Sequence, residues 1–136
     1  MDIKSLALKT ELAQKDLSLI SEEFREKALQ RVYEALIREK EKIIEENKKD
    51  IDKGKAEGLS EAMIDRLSLN ESRVKSMAEA VLSIAKSPRV LGEIVSELKR
   101  DDGLIIQKER IPIGVIAMIF ESRPNVVIDC GALAFK

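Results

Sequence analysis

A short polar box, Glu121, Ser122, Arg123 and Asn125, stands directly behind the most apolar run of the chain, in "RIPIGVIAMIFESRPNVV". Arginine carries a rigid fork of donors suited to a phosphate or a carboxylate. On residue types alone, two plainer readings stay open: Glu121 and Arg123 as a surface ion pair, and Pro124 with Asn125 as a helix start. The lone thiol, Cys130, lies in an apolar helical run beside Ala132 and Leu133, with no cation beside it in sequence to favour the thiolate. It reads as a buried structural cysteine and not as a nucleophile.

Composition narrows the remaining chemistry. The 136 residues hold no histidine and one cysteine, which leaves nothing to build a zinc site or an internal disulfide. Twenty-four basic residues balance 25 acidic ones, for a net charge of −1. A nucleic-acid or anionic-membrane surface needs a basic excess on one face, so neither partner is expected. The N-terminus lacks a signal-peptide apolar block, and no run reaches the length of a membrane span. The expectation is a cytoplasmic chain of one domain.

The elements that must position the box divide in character. Residues 1–88 read as helices. Phe24, Ala28, Val32, Ala35 and Leu36 recur at helical spacing behind Ser21 as N-cap, and Ile43, Ile44, Asn47 and Ile51 continue the stripe after a break or bend. Gly54 and Gly58 are stop signals, Ser60 caps a short helix to Leu67, and Asn70 opens a helix with Val74, Met77, Ala78, Val81, Ile84 and Ala85 on one face. Residues 92–111 read as a β-hairpin about Asp102-Gly103. Residues 112–136 read as strand, loop and helix, with "IGVIAMIF" long and apolar enough for a strand covered on both faces of a parallel sheet. Such a strand needs parallel neighbours, so the chain is expected to be the front of a longer α/β protein.

From about Ser21 to Lys136 the chain resembles the γ-glutamyl phosphate reductase family of the aldehyde dehydrogenase superfamily. The resemblance is carried by "EENKKDI", "GLSEAMIDRLSLNESRV", "LGEIV" and "RDDGLIIQKERIPIGVIAMIFESRPNVVIDCGALAFK", in that order. "ESRPN" is the specific element, since most of the superfamily carries a Pro-Trp-Asn box at that place. The fold implied is α/β but incomplete: N-terminal helices leading into the start of an aldehyde-dehydrogenase-type Rossmann-like cofactor domain, with a β-hairpin of the oligomerisation region. Residues 1–136 would be the N-terminal part of an NADP-binding domain.

The activity implied is NADPH-dependent reduction of glutamate 5-phosphate to glutamate 5-semialdehyde and phosphate, the second step of proline biosynthesis. A cysteine thiolate attacks the acyl phosphate, and the thioester then accepts a hydride. By motif position, Ile119, Phe120, Glu121 and Ser122 would bind the reactive end of NADP(H). Ser122, Arg123 and Asn125 would bind substrate, and either Asn125 or Arg123 would stabilise the oxyanion. The nucleophile is expected beyond Lys136, so this chain carries no catalytic cysteine and is expected to be inactive by itself. The resemblance also implies a homo-oligomer paired through the hairpin, and leaves room for channelling from glutamate 5-kinase. Arg66, which recurs in the family pattern, is read as a packing or capping residue. The alternative to an enzyme is a non-catalytic helical module that associates through its hairpin and exposed apolar strand.

Overall fold

The computed structural model describes residues 2–136. The chain falls into two compact units. One combines the N-terminal segment up to Glu22 with Ser87–Ile116, and the other combines Glu23–Lys86 with Ala117–Lys136.

The first unit holds a helix and a hairpin. Helix α1 (Ile3–Ser18) is opened by Asp2, whose carboxylate accepts the backbone N–H groups of Lys4 and Ser5 at 3.2 Å. Strands β1 (Ile94–Lys99) and β2 (Ile105–Glu109) pair antiparallel, with Leu98 opposite Ile106 and Lys99 opposite Ile105. A bulge falls between Ile94 and Ser96. The Asp-Gly signal is realised as a three-residue loop. Gly103 takes φ +85°, its N–H donates to Arg100 O at 3.0 Å, and Arg100 N–H donates to Leu104 O at 2.9 Å. Every residue of both strands is exposed.

The second unit is helical: α2 (Glu22–Arg38), α3 (Lys40–Ala56), α4 (Glu61–Leu67), α5 (Glu71–Ala85) and α6 (Pro124–Phe135). Its core is centred on α5, whose Val74, Met77, Ala78, Val81 and Ala85 pack with Leu29 and Leu36 of α2 and Ala132 of α6. Asn70 caps α5, its side-chain oxygen accepting from the Arg73 N–H at 2.8 Å, and Ser60 caps α4. The buried seam of α2 runs through Arg25, Leu29 and Leu36. Phe24 and Val32, expected on the apolar face, are instead 56% and 40% exposed. Arg25 is buried in their place, with a 2.5 Å hydrogen bond to Phe135 O and its guanidinium over the Phe135 ring.

Only Glu39 separates α2 from α3. Its N–H donates to Ala35 O at 2.9 Å and its carbonyl accepts Ile43 N–H at 3.0 Å, so the chain bends without breaking. Gly58, at φ +80°, ends α3 through two bonds, Leu59 N–H to Gly54 O at 3.0 Å and Gly58 N–H to Lys55 O at 3.1 Å. Gly54, expected as a second stop signal, lies inside α3 and is buried. A side chain there would stand 2.8 Å from Leu59 Cδ1, so this glycine serves close packing.

The expected strand at "IGVIAMIF" is not formed. Residues 111–120 carry no strand hydrogen bonding and are exposed, Ile113 at 88% and Ile119 at 98%. A buried strand must pair its backbone groups on a neighbour, and the described residues hold one two-stranded sheet made by the hairpin alone. The fold is mostly helical with that hairpin, an α/β arrangement without a parallel sheet among the described residues.

Asn47 fixes the connection between α4 and α5. It is 5% exposed, its Nδ2 donates to Leu67 O at 2.9 Å, and its Oδ1 accepts Leu69 N–H at 2.7 Å. Replacing it with alanine leaves two backbone groups without these partners. Asn47→Ala is therefore expected to lower the unfolding free energy by about 1–3 kcal/mol, measured by urea denaturation, whereas an exposed control such as Lys48→Ala should stay within about 0.5 kcal/mol of the parent.

Candidate functional site

The polar box enters α6 through an unusual backbone. Ser122 takes φ +48°, the one described residue other than glycine with positive φ, and Arg123 follows in an extended conformation at the N-cap. Pro124 occupies the first turn, where its missing N–H and fixed φ cost nothing. Beyond the left-handed Ser122, α6 packs against α5.

That packing encloses a cleft of about 460 Å³. Its walls are Asp65 and Arg66 from α4, Ser68 and Leu69 from the connection, Arg73 and Met77 from α5, and Arg123, Asn125 and Asp129 from the box and α6. Asn125 and Asp129 stand one turn apart on the same helix face, and the Asn125 amide donates to Asp129 Oδ2 at 3.0 Å.

The charged groups divide into those already engaged and those with capacity left. Arg73 is engaged: it pairs with Asp65 Oδ1 at 2.8 Å and donates to the carbonyls of Asp65 and Ser68 at 2.5 and 2.8 Å. Arg66 has only a loose approach to Glu121, 3.9 Å between charged atoms, with its side chain 49% exposed. The Arg123 carbonyl accepts the Val126 N–H at 3.1 Å, but its guanidinium makes no hydrogen bond or ion pair among the described residues. Asp129 Oδ1 is buried and has no hydrogen-bond partner there.

Of the sequence-expected residues, the cleft takes in Arg123 and Asn125. Glu121 touches it through Arg66. Ile119 and Phe120 stand outside the lining, 98% and 46% exposed, and Ser122 is half-buried beside them. Cys130 is half-buried, not fully buried as expected, and is absent from the cleft wall. Arg66, expected to pack or cap, also lines the cleft. Asp65, Arg73 and Asp129 were not singled out from the sequence. The four-residue spacing of Asn125 and Asp129, polar on an otherwise apolar helix, was the signal available for one of them. Among the described residues no group of His, Cys, Asp and Glu is placed to hold a metal ion, and no helix is long and apolar enough to cross a membrane.

No family model matches the chain. Curated proteins do. The chain is similar to the γ-glutamyl phosphate reductase of Geobacillus sp. (strain WCH70), 45% identical over 124 residues, covering 91% of this chain and 30% of that one. It is 43% identical over 135 residues to that of Carboxydothermus hydrogenoformans, covering 99% and 32%. Among solved structures it superposes on the γ-glutamyl phosphate reductase of Thermotoga maritima with a TM-score of 0.90 at 34% identity, covering 95% of this chain and 31% of that one. The Saccharomyces cerevisiae enzyme gives a TM-score of 0.92 at 30% identity, covering 96% and 33%. The chain thus spans about a third of the length of the relatives it matches.

The turn at Ser122 can be tested on its own. A β-branched residue at φ +48° is strongly disfavoured, so Ser122→Val is expected to lower stability by about 1–2 kcal/mol. Ser122→Gly should be neutral or stabilising. Equal stability of the two variants in urea denaturation would contradict the turn.

Proposed function

We propose that this chain is the N-terminal part of a γ-glutamyl phosphate reductase, an NADP(H)-dependent cytoplasmic enzyme of proline biosynthesis that reduces glutamate 5-phosphate to glutamate 5-semialdehyde and phosphate. The observation that carries the reading is the joint placement of Arg123 and Asn125 in a charged cleft, within a chain similar over nearly its whole length to reductases of that name.

In this reading the two box residues take different parts. An oxyanion donor works by being held in place before charge develops. The Asn125 amide is held, through its bond to Asp129, and keeps a second N–H to offer. Asn125 is therefore assigned to the developing oxyanion. Arg123, with its whole fork unengaged, is assigned to the phosphoryl group, which it can hold through two parallel bonds. Ser122 adds a hydroxyl beside them.

The residues before the box fit the nicotinamide end of the cofactor. Ile119 and Phe120 expose apolar surface of the kind on which such a ring packs, and Glu121 and Ser122 supply polar groups at its edge. When bound, the cofactor supplies the hydride. The attacking thiolate belongs to a segment outside this chain. Oligomerisation of the complete protein through the exposed hairpin, with a subunit's strand edge as the joining surface, follows the same reading. Channelling from glutamate 5-kinase would place that kinase near the cleft.

A protein of the relatives' full length that contains this segment is expected to oxidise glutamate 5-semialdehyde with NADP⁺ only when inorganic phosphate is present. Activity indifferent to phosphate would indicate an ordinary aldehyde dehydrogenase instead. In the same protein Arg123→Ala is expected to lower kcat/KM about 100-fold or more, while Cys130→Ala leaves it near the parent value. Parent rates for Arg123→Ala would overturn the assignment of the box.

A further inference from the structure

We propose that Asp129 is a positioning residue: its carboxylate fixes the Asn125 side chain with an amide N–H turned to the reacting oxygen, and it is kept at a cost to the fold. The proposal rests on the reductase reading above, which assigns Asn125 to the oxyanion, and deepens it by naming a group that acts through another residue.

The cost is visible in the packing. Every other residue from Val126 to Phe135 is apolar or glycine. Asp129 Oδ1 is buried without a hydrogen-bond partner among the described residues, so that oxygen lies within the protein and not on the open cleft. Oδ2 accepts the Asn125 amide at 3.0 Å. A polar pair four residues apart gives a helix little, and an unsatisfied buried carboxylate oxygen costs it more than that. On stability alone an apolar side chain would serve α6 better at this position. A buried polar atom without a partner calls for a use, and the group that Asp129 does touch, Asn125, lines the cleft.

What the contact does follows from the chemistry of the two groups. A carboxylate only accepts, whereas the asparagine amide has a donor end and an acceptor end. The bond to Asp129 therefore settles which end lies where: it takes one N–H, and the same nitrogen keeps the other. Asn125 sits in the first turn of α6, where backbone N–H groups lack intrahelical partners. An asparagine there can turn its oxygen back to such a group and withdraw from the cleft. Asp129, one turn further along the same face, holds the side chain out of that arrangement. An oxyanion donor is effective when it is in place before charge develops. The loss on removing Asp129 therefore falls on the transition state.

The test uses the full-length protein, oxidising glutamate 5-semialdehyde with NADP⁺ and phosphate, and reads rate and stability together. Asp129→Leu removes both the acceptor and the buried polar oxygen. It should lower kcat and kcat/KM together by about 10-fold or more, while its urea midpoint stays at or above the parent's. Asp129→Asn keeps an acceptor oxygen for the Asn125 amide and should stay within about threefold of the parent kcat. Asn125→Ala should cost about 100-fold or more, and adding Asp129→Leu to it should cost no further rate, since the two residues act as one unit. An unchanged kcat in Asp129→Leu, a fall in its urea midpoint, or a full further loss in the Asn125→Ala background overturns the positioning role while leaving the reductase reading in place. A parent protein that oxidises the aldehyde regardless of phosphate, or not at all, overturns the reductase reading and the positioning role with it.

Discussion

The docking of α6 on α5 is the contact on which the rest of the second unit depends. Val74, Ala78 and Val81 are fully buried at the centre of α5, and Ala132 of α6 is 5% exposed against this core. The far end of α6 is fixed by polar contacts as well. Arg25 of α2 binds the Phe135 carbonyl, and Lys136 Nζ donates to Ala85 O at 3.0 Å. Those anchors satisfy two of the carbonyls that helix ends leave without intrahelical partners.

From that contact the placement of the charged groups follows. Asn125 and Asp129 are carried by α6, Arg73 by α5, and Arg66 by α4, which Asn47 holds through the backbone at Leu67 and Leu69. Arg73 is structural by its contacts: it closes the α4–α5 connection and neutralises Asp65. The consequence is a cleft in which one pair of charges is satisfied and three groups keep capacity for something else.

Much of the helical part was legible in the sequence because caps and periodicity are local. Ser60 and Asn70 cap where their residue type says they should, and the α5 stripe is buried nearly as its spacing predicts. The α2 stripe was less legible, because which of two adjacent apolar faces is buried depends on Arg25 meeting the end of α6, 110 residues away. Gly54 read as a terminator since composition cannot separate a glycine that ends a helix from one that admits Leu59. The run at 113–120 predicts a strand on hydrophobicity, yet a strand exists only where another strand accepts its hydrogen bonds. Arg123 and Asn125, which stand out through their motif, both line the cleft. Asp129 and Arg66 do not stand out, because their significance lies in which partners they lack, and that emerges only from the packed helices.

The central claim is that the cleft between α5 and α6 is where an amino-acid substrate is held. A crystal structure of the full-length protein with glutamate and NADP⁺ bound tests it most directly. The account expects the glutamate side-chain carboxylate in the cleft, against Arg123 and Asn125. Glutamate bound elsewhere, with the cleft closed by a segment of the protein, would contradict the account.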